Sequence, residues 1–198
     1  MNKIKSTTIT LMLATSLAMA GGDIEPQEPQ ITLPEVMEEP ITDNYFYTGL
    51  AYSYMKMEND TLNKKITGNG ITALAGYKFH SYLAVEGRYT ATLGDLRANN
   101  TDNNWDMSNI ALYLKPQYAF NQITLYGLLG YGQVELDDGT THSENSFQWG
   151  LGANFSATDA IDIFVDYTRL YDDKGFDDLS PNNDFSVDNI NVGVSYNF

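Results

Sequence analysis

The chain has 198 residues, of which 42% are hydrophobic, and it carries a formal net charge of −15 and no cysteine. The hydrophobic residues are spread too thinly for a helical membrane span of about 20 apolar residues, and disulfides are excluded. The acidic balance argues against nucleic acid as a partner, because there is no basic patch to displace counterions from phosphates.

Residues 1–20 are predicted to be a cleaved signal peptide. Lys3 and Lys5 form a basic start, an apolar stretch follows, and the segment ends in Ala18-Met19-Ala20, small residues that suit signal peptidase. The apolar stretch stops abruptly at the glycines that follow, which disfavours a buried helix. The mature chain is therefore expected to be exported.

Residues 21–43 are predicted to form an acidic, proline-rich periplasmic spacer. The segment holds four of the six prolines, seven acidic residues and no basic residue. Prolines remove hydrogen-bond donors and like charges repel, so the segment cannot build a core. A docking peptide for a partner is the alternative interpretation.

Beyond residue 43 the hydrophobic pattern has a period of two, which predicts β-strands with one apolar face. The clearest case is SFQWGLGANFSA, where large apolar residues alternate with polar residues or glycine. Each such segment is about as long as a tilted strand that crosses a bilayer. The segments are residues 45–55, 70–79, 83–92, 108–120, 123–133, 146–156, 160–169 and 186–198.

The connections between these segments alternate in length. Tight turns are predicted at 80–82, 121–122 and 157–159, and long loops at 56–69, 93–107, 134–145 and 170–185. Short turns on one side, long loops on the other and an even strand number are typical of outer-membrane barrels. Residues 44–198 are therefore predicted to form an all-β, eight-stranded antiparallel up-and-down transmembrane β-barrel.

The outer apolar face changes in composition along the strands, with aromatic residues near both ends, as a bilayer requires. A soluble barrel of the lipocalin kind would turn its apolar side chains inward, whereas two aromatic girdles match the two membrane interfaces. The tight turns are expected to pair Phe79 with Leu83, Phe120 with Ile123 and Phe155 with Ile161 on this outer face. The girdle residues are Phe46, Phe79, Phe120, Phe155, Tyr196 and Phe198 near the turns, and Tyr54, Tyr89, Tyr131, Phe147 and Tyr167 near the loops.

Four stretches resemble the eight-stranded outer-membrane β-barrel family, the outer-membrane-protein-A-like and opacity-protein-like group. They are YFYTGLAYSY, AGYKFHSYLAVEGRYT, LYLKPQYAF with LYGLLGYG, and INVGVSYNF, and the resemblance covers about residues 44–198. It implies the outer membrane of a Gram-negative cell, with both termini in the periplasm. Some members carry a C-terminal peptidoglycan-binding domain; the sequence stops at Phe198, so that anchoring role is not expected.

The resemblance also implies a signal for the barrel assembly machinery. In the group's signal the last residue is aromatic and alternate residues before it are apolar. The positions that match are Ile190, Val192, Val194, Tyr196 and Phe198. The same strand is expected to pair with the first strand and close the barrel.

An eight-stranded barrel is just wide enough to be filled by its own side chains. Because buried charges are costly when unpaired, we expect a paired lumenal network, with Glu86 near Lys78 and Arg88. A structural plug and a gated ion or proton path are the two interpretations of this network. The inward charged residues are Lys78, Glu86, Arg88, Lys115, Asp162 and Asp166.

The sequence predicts no catalytic, cofactor or metal site. His80 lies in a turn, and His142 has Ser143 and Glu144 as neighbours, but adjacent loop residues cannot usually adopt the geometry of a catalytic triad. The acidic stretches LDDGT and DDKGFDDLSPNND could supply oxygen ligands to calcium. They lack the spacing of a calcium-binding loop, so solvated loops are expected.

The leading functional hypothesis is a non-catalytic outer-membrane protein whose barrel anchors four surface loops. The loops would serve envelope integrity or adhesion, through a surface or host ligand, because a rigid scaffold frees loops for such roles. The barrel is expected to be a monomer surrounded by outer-membrane lipid. A small porin-like channel is the alternative, and a lipid-A-modifying enzyme is a more distant one.

Overall fold

The structure is a computed structural model that describes residues 44–62, 64–98, 101–177 and 179–198. The predicted signal peptide and spacer lie outside the described residues. No helix among these residues is long and apolar enough to cross a membrane. The strands are β1 Tyr45–Asn59, β2 Lys64–His80, β3 Leu83–Thr92, β4 Leu96–Ala98, β5 Thr101–Asn103, β6 Asp106–Phe120, β7 Ile123–Asp137, β8 Thr141–Ser156, β9 Ile161–Phe176 and β10 Leu179–Asn197.

Eight of these strands form a closed antiparallel barrel, in the order β1, β2, β3, β6, β7, β8, β9, β10. The barrel closes because β10 pairs with β1, in a register that runs from Tyr47 opposite Asn197 to Asn59 opposite Phe185. The predicted fold is thus confirmed, as is the pairing of the last strand with the first. Strands β4 and β5 form a small hairpin beside β2.

The end of the barrel with the three tight turns is called the turn end, and the opposite end the loop end. Phe120 pairs with Ile123 as predicted. Phe155 pairs with Ile163 rather than Ile161, because pairing of β8 with β9 begins at Ser156 opposite Asp162 and Ile161 takes part in the turn. His80 rather than Phe79 pairs with Leu83, because a register shift follows Lys78. The two corrected hairpins differ locally from the prediction and leave the order of strands unchanged.

The outer face carries the apolar band that the alternation predicts. Ten of the eleven girdle aromatics are exposed, and Tyr167 is partly buried. Phe198 is the most exposed of them at 73%. Between the girdles lie aliphatic side chains such as Leu50, Leu112 and Val192, which are also exposed. An outer surface of this kind suits hydrocarbon.

The predicted long loops at 56–69, 134–145 and 170–185 are wrong in extent, because strands continue through most of them. β7 and β8, for example, are separated only by residues 138–140. The alternation also continues there, but the apolar side chains now point inward. With water on the outer face, burial of apolar surface inside the barrel becomes the favourable arrangement.

The inward side chains at the loop end form an apolar cluster, called the loop-end core. Strand β4 contributes Leu96, which is fully buried. A Cβ atom built on Gly68 would lie 2.2 Å from Leu96 Cδ2, so the glycine leaves the space that Leu96 fills. The cluster comprises Met55, Met57, Leu96, Met107, Val134, Leu136, Leu170, Tyr171, Phe176, Phe185 and Val187, with Ile66 and Trp105 packed against it.

Candidate functional site

The middle of the lumen contains four buried charged side chains, called the lumenal ion network: Glu86, Arg88, Lys115 and Asp166. Glu86 accepts hydrogen bonds from Arg88 Nε at 2.6 Å and from Lys115 Nζ at 2.7 Å. The Arg88 guanidinium donates to both oxygens of Asp166, at 3.0 and 2.8 Å. Two carboxylates and two cations balance each other, which lowers the cost of burying them.

Neutral polar side chains donate further hydrogen bonds to the carboxylates of Glu86 and Asp166. Tyr47 donates to Glu86 at 2.7 Å, and Tyr126 donates to Asp166 at 2.8 Å. Asn191 Nδ2 donates to Asp166 at 2.7 Å. Lys115 Nζ also lies 4.2 Å from the centre of the Tyr126 ring, within cation–π range. The network is therefore held by neutral groups as well as by ion pairs.

Alternation along the strands explains how these side chains meet. Glu86 and Arg88 are two apart on β3 and so share the inner face, while Asp166 comes from β9. The tyrosine rings fit because glycines lie beside them. A Cβ on Gly76 would lie 2.3 Å from Tyr47 Cζ, and one on Gly152 would lie 2.5 Å from Tyr126 Cζ.

Sequence reasoning missed Tyr47, Tyr113 and Tyr126 as members of the lumen. All three occupy inward positions of strands that were correctly predicted, so alternation alone could have found them. Tyr113 donates to Gln148 Oε1, and Gln148 in turn donates to Asn109 Oδ1 at 2.7 Å. These contacts extend the polar filling beyond the ion network.

A layer of small polar side chains lies on the loop side of the network. The hydroxyl oxygens of Ser53 and Thr72 are 2.6 Å apart, as are those of Thr72 and Thr90. Ser53 also donates to Asn191 Oδ1 at 2.7 Å, and Asn191 contacts Asp166. The hydrogen-bonded groups thus run from the network toward the loop-end core, and all of them are buried.

Lys78 and Asp162 point inward but lie apart from the network, in a polar vestibule of about 780 Å³ at the turn end. Lys78 Nζ lies 5.0 Å from the centre of the Tyr45 ring, and Asp162 accepts a hydrogen bond from Asn197 at 3.0 Å. The expected pairing of Glu86 with Lys78 is wrong. Lys115 takes that place from the neighbouring strand β6.

The register explains this exchange of lysines. Lys78 on β2 and Lys115 on β6 both lie opposite Ala84, on its two sides. From these equivalent positions, Lys115 reaches Glu86 whereas Lys78 lies against Tyr45. Sequence spacing does not separate the two lysines.

Charged groups also meet on the outer face, on the loop side of the aromatic girdle. Lys56 Nζ lies 2.9 Å from Glu58 and 3.4 Å from Asp188. Arg169 contacts Asp188 at 2.6 Å and Asp172 at 3.0 Å. The hydrogen bond to Glu58 raises the pKa of Lys56 above its ordinary value. These pairs are partly exposed, so each contributes little to stability.

The two histidines serve local structure. His80 Nδ1 accepts a hydrogen bond from the Tyr82 amide at 3.2 Å. His142 Nδ1 lies 3.1 Å from the carbonyl oxygen of Asp177, whose carboxylate accepts from the Ser143 amide at 2.9 Å. These contacts join β8 to the tip between β9 and β10. Within the described ranges, no group of three or more His, Asp or Glu residues is placed to hold a metal ion.

The residues of the expected assembly signal lie along β10 and at position 198. Ile190, Val192, Val194 and Tyr196 are exposed on the outer face. The Phe198 amide donates to the Phe46 carbonyl at 2.9 Å, and the Phe198 ring meets the Tyr196 ring edge to face. Position 198 is thus bonded to the first strand.

Comparisons with known proteins agree with this architecture. The sequence profile described as outer membrane protein beta-barrel domain matches residues 37–198. One similar structure is that of Ail, the attachment invasion locus protein of Yersinia pestis, in complex with the heparin analogue sucrose octasulfate. It matches with a TM-score of 0.54 at 20% sequence identity, and the match covers 78% of this chain and 99% of that chain. Neisserial surface protein A matches with a TM-score of 0.57 at 14% identity, over 77% and 97%. No curated protein sequence matches. These identities establish a likeness of fold.

Proposed function

The chain belongs to the family of outer membrane protein β-barrel domains, and from this premise we propose that it is a non-catalytic, non-conducting protein that makes contacts at the cell surface. In this proposal the turn end and both termini face the periplasm, and the loop end faces outward. The barrel acts as a monomeric anchor in outer-membrane lipid. Ile190, Val192, Val194, Tyr196 and Phe198 present the signal for the assembly machinery.

The observation that carries the proposal is the filled lumen. A solute entering the vestibule meets the lumenal ion network, in which Glu86 and Arg88 are 0% and 4% exposed. Beyond the network the solute would meet the layer of small polar side chains formed by Ser53, Thr72 and Thr90, and then the loop-end core. Opening a path would require breaking buried ion pairs, which is costly. This favours a structural plug over the channel alternative.

The loop end supports a role in contact rather than catalysis. Its strands continue beyond the aromatic girdle and are held together by the loop-end core, so they present a rigid surface. His142 and Ser143, the residues nearest to a catalytic pair in the sequence, are bonded to Asp177 at the neighbouring tip. Rigid display of connecting segments is how many barrels and sandwiches bind partners.

The partner class differs from the ligand in the Ail structure. The four segments 56–69, 93–107, 134–145 and 170–185 carry 14 acidic and five basic residues. A sulfated polyanion, such as the heparin analogue bound to Ail, would meet like charge on most of this surface. A basic partner therefore fits this chain better.

The test is a binding assay with cells that display the protein. Replacing residues 137–142 by Asn-Gly removes the β7–β8 tip but keeps Val134 and Leu136 in the loop-end core. We expect wild-type cells to bind host cells or immobilised matrix proteins, and the shortened variant to lose much of this binding. A heat-dependent gel shift checks that its barrel is intact. Binding by wild type no greater than by cells without the protein would contradict the proposal.

A further inference from the structure

An apolar pocket of about 180 Å³ opens at the loop end, where all four connecting segments meet. Leu62 and Ile66 come from the first segment, Trp105 from the second, Leu136 from the third and Phe185 from the fourth. Leu62 is 51% exposed, whereas Leu136 and Phe185 belong to the buried loop-end core. The pocket thus lies at the surface of the loop-end core, with exposed Leu62 on one wall and core residues on the others.

The size of the pocket matches a single aromatic side chain. A cavity of about 150 Å³ lined by leucine, isoleucine and phenylalanine is large enough to bind benzene. This pocket is slightly larger, and its lining combines leucine, isoleucine and phenylalanine with Met57 and Trp105, whereas Asn59, Lys64 and Asp138 are its polar members. An aromatic ring held there would contact apolar side chains from all four segments.

The charges around the pocket are mostly negative. Asp138 lines the pocket, and next to the lining residues Trp105 and Leu136 the chain carries Asp106 and Asp137, which are cross-strand partners of β6 and β7. Like charges placed directly opposite are destabilising, and no ion pair in the described part of the chain joins either carboxylate to a cation. Positive charge from a partner would relieve this repulsion.

Two further carboxylates lie next in sequence to other lining residues. Asp60 and Asp184 are exposed next to the lining residues Asn59 and Phe185, and the Asp60 amide donates to the Asp184 carbonyl at 2.9 Å. Lys64 is a cation on the rim. Asp138 therefore lines a pocket that takes one ring, and four further carboxylates belong to residues adjacent in sequence to its lining, an arrangement complementary to an aromatic residue flanked by lysine or arginine.

We propose that this pocket is the contact point for a partner protein: it binds an aromatic side chain carried by a basic segment, whose cations contact the surrounding carboxylates. The inference rests on the proposed function, since the pocket must face outward to meet such a partner. It adds the chemical class of the partner and the residues that recognise it.

The test uses Trp105 as a reporter. The chain has two tryptophans, so Trp149→Phe leaves Trp105 as the single tryptophan, which is excited selectively at a wavelength where tyrosine does not absorb. The full chain, folded in nanodiscs of zwitterionic lipid, is titrated with a peptide of four lysines around one phenylalanine. A peptide with glycine in place of phenylalanine tests the ring, one with glutamates in place of lysines tests the charge, and empty nanodiscs correct for lipid binding.

We expect saturable binding of the lysine–phenylalanine peptide, with a change in Trp105 emission and weakening by salt. Loss of the ring or of the charge should weaken binding about tenfold, which corresponds to about 1.4 kcal/mol. Leu62→Ser should weaken it similarly. Leu93→Ser is the matched control, because Leu93 is a 62% exposed leucine of the second connecting segment that does not line the pocket.

Three results would overturn the inference: no saturable change in Trp105 emission, equal binding of the three peptides, or equal losses for Leu62→Ser and Leu93→Ser. The cell-binding assay separates this failure from failure of the proposed function. If cells adhere and the tip variant does not, but the peptide fails to bind, the contact surface stands and the pocket is not its recognition site. A gel shift verifies that each variant is folded.

Discussion

The lumenal ion network allows a quantitative test, because Glu86 is fully buried and accepts bonds from Arg88, Lys115 and Tyr47 at 2.6 to 2.7 Å. Glu86→Gln keeps the shape of the side chain but removes its charge. Arg88 keeps Asp166 as an ionic partner, whereas Lys115 loses the carboxylate with which it pairs and keeps its cation–π contacts with Tyr47 and Tyr126. Removing one partner of a buried ion pair costs about 3–5 kcal/mol. We expect a loss of that size in the free energy of unfolding.

The assay is equilibrium urea unfolding of the protein folded in lipid vesicles. Glu58→Gln is the matched control, because Glu58 pairs with Lys56 at 2.9 Å on the outer face, where both side chains are about 30% exposed. The control should cost less than about 1 kcal/mol. Comparing the losses in free energy of unfolding for Glu86→Gln and Glu58→Gln shows how much of the cost comes from burial of the ion pair.

A double-mutant cycle isolates the pair itself. In the variant that combines Glu86→Gln with Lys115→Met, the cation left unpaired by the first change is also removed. The combined loss should fall short of the sum of the single losses by about 0.5–3 kcal/mol. Equal costs for Glu86→Gln and Glu58→Gln, or strict additivity in the cycle, would refute the view that these charges are a coupled buried network.

Three further predictions follow from other parts of the barrel. Gly152→Ala would place a Cβ 2.5 Å from Tyr126 Cζ, whereas Gly87→Ala would meet nothing nearer than 3.9 Å; urea unfolding should show a loss of about 1–3 kcal/mol for the first only, and equal losses would contradict the packing. Burial raises the pKa of Tyr171 to about 12, so the fold keeps a phenol proton that the unfolded chain loses near pH 10. The stability that this retained proton contributes is complete below about pH 10 and is lost as the pH rises toward 12. The free energy of unfolding measured across this range should therefore fall less in Tyr171→Phe than in wild type. Identical pH profiles of the two proteins would exclude this role. Phe198→Ser should reduce insertion into the outer membrane more than it reduces folding in detergent, measured by surface labelling and gel shift; equal losses would mean that the aromatic ring is only structural.

The strands within the apolar band could be predicted because period-two alternation has an unambiguous outer face there. Tyr54 is the last outward aromatic of β1, and the predicted strand ends at Met55. Beyond it Met57 points inward, in a segment that contains lysine, glutamate and asparagine and therefore resembles a loop. Where the barrel passes from lipid into water, the outer face becomes polar and the inner face apolar. The alternation that predicts an apolar outer face therefore ends at that point, although the strand continues.

The lumen could be predicted only as a set of inward charges. Alternation places Glu86, Arg88 and Asp166 on the inner face, but Arg88 and Asp166 are 78 residues apart in the sequence. Their meeting depends on the curvature of the closed sheet and on the glycines that admit the tyrosine rings. For the same reason, the sequence did not distinguish Lys115, which reaches Glu86, from Lys78, which lies in the vestibule.

The central claim is that the lumen is closed by buried, paired side chains and that the protein acts at its outer surface. Single-channel recording of the purified protein in planar lipid bilayers tests it most directly. Wild type should insert, as verified by a gel shift of the recovered protein, and give no stepwise conductance. Reproducible unitary conductance steps from the folded protein would contradict the account and would favour a small channel.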